Sequence, residues 1–311
     1  MAFDTALNIV ADAAVELGLY SYASKPTVAF ANTDANVGLL VQLLKSVGRN
    51  LMREAQWSAL TKSYAFTTTT NVGRYSLPAD FDRVIDQTVW NRTNRLPVGG
   101  PISQQTFQAL KAQLAGTVAN VLFQLLQGQF QAFPDLTTPG SYAIAYGYMS
   151  RFWVSPAATE AAYGTSATPG LQPFTWQNAS AYLTNALVTS AGQILKCTTP
   201  GTSGSANPAV TSGTVVDGTV TWTWQAAAGT DAPAADGDVI RFDPQLVLAA
   251  LKLAWREEKG MDSAKYRADY NEALEAAISA DIAAPALTFT GSESFLSEPL
   301  LSTGNLPKWG S

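Results

Sequence analysis

Acidic residues come closest to forming a reactive constellation in this sequence. Asp236 and Asp238 stand two apart in "AADGD", and Asp80 and Asp82 two apart in "PADFD". Two carboxyl groups held on opposite sides of a sugar bond suffice to hydrolyse it, so a cell-wall glycosidase is one reading. The other is that these are turn and capping acids, since a short carboxylate bonds its own neighbouring amides in loops. Asp217, in an Asp-Gly turn, is open to the same reading. Trp222 and Trp224 alternate with threonines in "TVTWTWQ". They offer either a platform for the apolar face of a glycan or the core of a small sheet. "WREEK", at 255–259, reads as a solvated last helical turn or as an ion-pair patch between subunits.

Other chemistries lack their residues. The 311-residue chain has no histidine and one cysteine, Cys197. It therefore cannot build a Ser-His-Asp or Cys-His nucleophile, an imidazole-rich zinc site, an intrachain disulfide or a multi-cysteine zinc site. The glycines of "GTSGSANPAVTSG" have the wrong spacing for a phosphate loop, and no helix follows them. No cofactor or metal is expected. The 24 acidic and 19 basic residues leave a formal charge of −5, without the basic excess that gives a tight grip on DNA. A hydrophobic content of 47% with only 14% charged residues fits a folded chain whose surface is partly covered by other chains. "MAFDTALNIVADAAVELGLY" lacks a basic leader, and "QLVLAALKLAW" is broken by Lys252 well short of the ~20 residues that cross a bilayer, so neither secretion nor membrane insertion is expected.

The elements that must position these residues can be read from periodicity. Asp4 can cap a first amphipathic helix that stops at Gly18. A longer helix starts at Thr33 or Asp34 and carries the stripe Val37, Leu40, Val41, Leu44, Val47, Leu51, Met52 and Ala55 as far as Trp57. Leu39 and Leu43 lie off that stripe, which predicts a second buried face against this chain or a neighbouring copy. Strand patterns follow in "SYAFTTTT", "RVIDQTVW", "VLFQLLQGQFQAFP" and "SYAIAYGYMSRFWV", with a brief helix capped by Ser103 between them. From 155 to 236 the composition shifts to Ala, Thr, Gly, Ser and Pro, and the segment reads as an inserted β module with strands around the Asp217-Gly218 turn. Helix signals return at Asp243-Pro244 and run to Gly260, and Asp262 caps the last helix. The expected fold is α+β: a helical-bundle body with a small antiparallel sheet, built from 1–154 and 237–285, plus a sandwich-like insertion at 155–236. Residues 286–311 read as an extended arm that needs a partner.

Three phrases in order carry a resemblance: "YSLPADFDRVIDQTVWNRTNRLPVGGPISQQTFQALKA", "YAIAYGYMSRFWV" and "DGDVIRFDPQLVLAALKLAWREEKGMDSAKYRADYNEAL". Together they resemble the head-to-tail adaptor, or tail accessory, proteins of tailed and especially short-tailed bacteriophages. The resemblance implies a non-enzymatic virion protein at the neck, assembled in the host cytoplasm. It implies a dodecameric ring that binds the portal on one side and a tail nozzle or tube protein on the other and lets double-stranded DNA pass. An acidic balance suits such a channel, because tight phosphate contacts would hold the genome back. The residues expected at interfaces are Leu39, Leu43, Trp255 and Arg256 on the helices, and Phe289, Phe295, Leu296, Leu300, Leu301 and Trp309 on the arm. The inserted module is expected to project into solvent, where Trp222 and Trp224 are its candidate glycan contacts.

Overall fold

The computed structural model describes residues 3–68, 73–112, 121–133, 142–159, 175–205 and 207–281. Strand β1 (Asp4–Thr5) leads into helix α1 (Ala6–Glu16), and α2 (Ala35–Glu54) follows. Strands β2 (Thr61–Thr67), β3 (Arg74–Ser76), β4 (Phe81–Val84), β5 (Trp90–Asn91) and β6 (Leu96–Pro97) precede α3 (Gln104–Ala112). Next come β7 (Leu122–Leu126), β8 (Gln129–Phe133), β9 (Ala143–Ser150) and β10 (Val154–Ser155). The module holds β11 (Ala181–Tyr182), β12 (Leu187–Ser190), β13 (Gln193–Thr199), β14 (Gly201–Thr202), β15 (Thr214–Asp217) and β16 (Val220–Ala227). Strand β17 (Val239–Ile240), α4 (Pro244–Glu258) and α5 (Ala264–Asp281) close the described chain.

The expected helical-bundle body is not what forms. Among the described residues strands hold 30% against 34% in helices, and the strands make five sheets, so only the loose statement of an α+β mixture survives. The cause lies in how the apolar surface is shared. One core lies between α1, α2 and α4 and takes in Trp57, Trp153 and Phe242. A second is wholly sheet-built: the five-stranded sheet centred on β9 faces the β3-β8-β7 sheet through Phe123, Phe130, Ile144, Tyr146 and Tyr148. Phe130 stacks on Phe123 at 4.7 Å and on Tyr146 at 5.9 Å. A third core belongs to the module. Helical stripes are long and uninterrupted in sequence, whereas the second core is assembled from short strands far apart in the chain.

Local rules hold at most element ends. The Asp34 carboxylate accepts from Asn36 N and Val37 N, and Asp243 caps α4 ahead of Pro244. Gly18, at φ +73°, and Gly260, at +64°, end their helices in the left-handed conformation that suits glycine. The first cap is Thr5 instead of Asp4: the Thr5 hydroxyl accepts from Asn8 N, while Asp4 takes the Asn8 side chain. The chain leaves the body at β10 and comes back at β17, and these two strands pair directly, Val154 opposite Ile240 and Ser155 opposite Val239.

Candidate functional site

The alternation of β2 turns Lys62, Tyr64 and Phe66 toward the sheet core, so Lys62 brings a charge inside. Its Nζ lies 2.6 Å from Asp80 Oδ2, and both side chains are nearly buried, at 10% and 3% exposure. Asp80 also accepts from Tyr148 Oη at 3.0 Å and Ser150 Oγ at 2.8 Å. Burial alone would raise the Asp80 carboxyl, but the Lys62 ammonium and the two hydroxyls outweigh it and hold the group below its ordinary value. Burial lowers Lys62, with Asp80 opposing and Arg241 adding to the effect. The Tyr148 phenol is pushed far up by burial and then by Asp80, so it stays protonated and donates. Arg241 is itself buried, donating from Nη1 to Phe152 O and from Nη2 to Ala228 O, both at 3.0 Å. These charges lie at the seam where the main sheet meets the module, around a small polar gap that also touches Ser190, Gly192 and Asn207.

Neither acid pair faces a common substrate position. Asp82 points to solvent and pairs with Arg83 at 3.0 Å, away from Asp80. Asp236 Oδ1 accepts from Ala29 N and Phe30 N at 2.9 and 3.0 Å. Asp238 takes Ala157 N on one oxygen and Ala234 N and Ala235 N on the other. These two acids tie loops together through backbone amides, as short acids in turns do.

Trp222 is completely buried, which corrects the glycan-platform reading for that residue. Its Nε1 donates to Asp217 Oδ2 at 3.0 Å, Trp176 Nε1 donates to the same oxygen at 2.8 Å, and Gly204 N donates to Oδ1 at 2.8 Å. A lone buried carboxylate is thus satisfied by two indoles and an amide, and Tyr182 packs edge-on against Trp222. Trp224 is half-buried against the same core and donates to Gln193 Oε1 at 2.8 Å. Cys197 is another member of that core, its thiol raised by burial.

Of the helix residues expected at interfaces, Trp255 lies in the main core at 3% exposure, with Lys259 Nζ 4.8 Å from its ring centroid. Arg256 turns inward to α5, where its Nη2 donates to Tyr266 Oη at 2.9 Å and its guanidinium lies over that ring. Both therefore serve the chain's own packing, because the last turn of α4 is covered by α5. Leu39 and Leu43 are half-buried at the rim of the main core. Phe289, Phe295, Leu296, Leu300, Leu301 and Trp309 lie outside the described residues.

Two further concave surfaces are lined by described residues. A cleft of about 300 Å³ opens between α2, α4 and α5, with Val47, Leu51, Leu253, Ala254 and Tyr270 as its apolar lining and Arg53, Glu54 and Glu257 as charged members. A trough of about 370 Å³ crosses the outer face of the five-stranded sheet, between Ser63, Trp90, Arg92 and Arg95. Among the described residues no three His, Cys, Asp or Glu side chains are grouped to hold a metal, and no helix is long and apolar enough to cross a membrane. Sequence reading missed Lys62, Arg241 and the cleft. The period-two pattern of β2 carried the signal for Lys62, but the cleft depends on how three helices meet. No protein-family model matches the chain, and no curated protein matches it.

Proposed function

We propose that the chain is a structural, non-enzymatic subunit that assembles with copies of itself into a ring joining a portal to a tail and passing viral DNA. The observation that carries this reading is the state of the helical layer. Helix α5, Ala264–Asp281, buries only Ala277 fully; Tyr270, Ala273, Leu274 and Ile278 are half-covered, and the cleft lies beside it. Half-covered apolar residues beside an open cleft are surface that a neighbouring copy in an assembly would cover. A repeated head-to-tail contact that closes is a ring.

Three further features support the reading. The acids that would serve a glycosidase are engaged in backbone hydrogen bonds or an internal ion pair. The module hangs from adjacent antiparallel strands, which suits a projection from a ring wall. The net charge of −5 suits passage of DNA without capture. With the bundle body gone, much of the wall is assigned to sheets. Truncation after Pro285 tests the docking role of the arm: it should leave the far-ultraviolet circular dichroism unchanged and abolish binding to portal rings. Undiminished binding would count against the reading.

A further inference from the structure

Where the described chain stops bears on what fills the cleft. Asp281, the last residue of α5, accepts from Ser58 N at 2.6 Å and from Ser58 Oγ at 2.5 Å. Ser58 follows α2 by four residues, and the last turns of α2, from Val47 to Glu54, form one wall of the cleft. The chain beyond Asp281 therefore starts beside that wall. Tyr270, on the opposite wall, sits eleven residues back along α5, about 16 Å at the helical rise of ~1.5 Å per residue. From Asp281 to Phe289 the chain can extend roughly 26 Å at ~3.3 Å per residue. A chain that turns back directly after α5 thus has the length to bring Phe289 to the cleft. The segment "ALTFTGSESFL", 286–296, carries Leu287, Phe289, Phe295 and Leu296 and one charge, Glu293. Its apolar anchors match walls of Val47, Leu51, Leu253 and Ala254. A tether this short gives an effective concentration on the order of millimolar, which outcompetes free copies at micromolar concentration.

We propose that in the unassembled subunit this cleft seats the chain's own segment 286–296, with Phe289 as the anchor. The connector reading underlies only the consequence, that the arm becomes available for docking when it leaves the cleft.

The test uses the full chain with Asn50→Cys, at the exposed rim of the cleft, and Thr290→Cys, the native Cys197 being buried. Air oxidation at low micromolar concentration, followed by digestion and mass mapping, should give a disulfide mostly within one chain. Adding Leu253→Arg or Phe289→Ala should lower its yield at least fivefold with the melting profile retained. Cross-links mainly between chains would assign the cleft to a neighbour's arm and overturn the proposal. A yield no higher than that of a pair of Asn50→Cys with Ser311→Cys would also overturn it. Binding to portal rings, measured on the same wild-type protein, is a separate readout: a chain that cross-links internally but never docks refutes the connector role and leaves the cleft assignment standing.

Discussion

Asp80 illustrates how a residue's neighbours decide its role. In sequence it stands beside Asp82 as half of an acid pair, yet it points inward to Lys62, Tyr148 and Ser150 while Asp82 points outward to Arg83. Asp80→Ala leaves the Lys62 ammonium buried without its counter-charge and should cost about 3–5 kcal/mol in denaturant unfolding. The folded-state carboxyl lies below its unfolded value of ~3.9, so its stabilising effect is complete above that value and is lost as pH falls through the folded one. Melts between pH 7 and pH 2 should therefore show an acid-limb slope that Asp80→Asn reduces; an unchanged slope would place Asp80 outside the acid transition. Trp222 makes the same point for apolar residues. Trp222→Ala should destabilise the module by about 3–5 kcal/mol, read from the loss of its unfolding transition, because it removes a fully buried ring and one donor to Asp217. The alternation "VTWTWQ" made that inward face legible. The partner Asp217 was not, because a residue at the end of β15, where the Asp-Gly turn begins, gives no hint that its carboxylate folds back under two indoles.

At the scale of elements, caps and stops explain what could be read. Asp34, Asp243, Gly18 and Gly260 act where local rules place them, since capping depends on residues within a turn of one another. The hairpins at Gly128 and Gly218, with φ of +70° and +66°, are local in the same way. The body architecture was not legible, because it depends on pairings such as Tyr64 with Tyr146 and Trp90 with Ala145 across long stretches of chain. Gly48 marks where α2 meets the rest of the core. It sits within the helix, where glycine is unfavourable, and a methyl group there would overlap the Trp153 ring. Gly48→Ala should thus lower stability by about 1–3 kcal/mol despite its better helix propensity, checked by urea denaturation; a gain in stability would mean that Trp153 is free to move.

Across the whole molecule, three cores share one chain: a helical layer, a pair of facing sheets and a suspended module. The module is fastened by bonds that cross its seam, chiefly from Arg241 to Ala228 and from Asn178 Nδ2 to Thr67 Oγ1, so it is built to hold a fixed direction from the body. The helical layer leaves Tyr270, Leu274 and Ile278 half-covered beside its cleft, and the ring reading depends on that face. The most direct measurement is the mass of the purified full-length chain, by native mass spectrometry, alone and mixed with portal rings of the phage that the reading implies. The account predicts a single closed stoichiometry of identical copies bound to each portal ring. A chain that remains monomeric in both samples, at concentrations up to about 100 μM where micromolar contacts between copies would be populated, would contradict it.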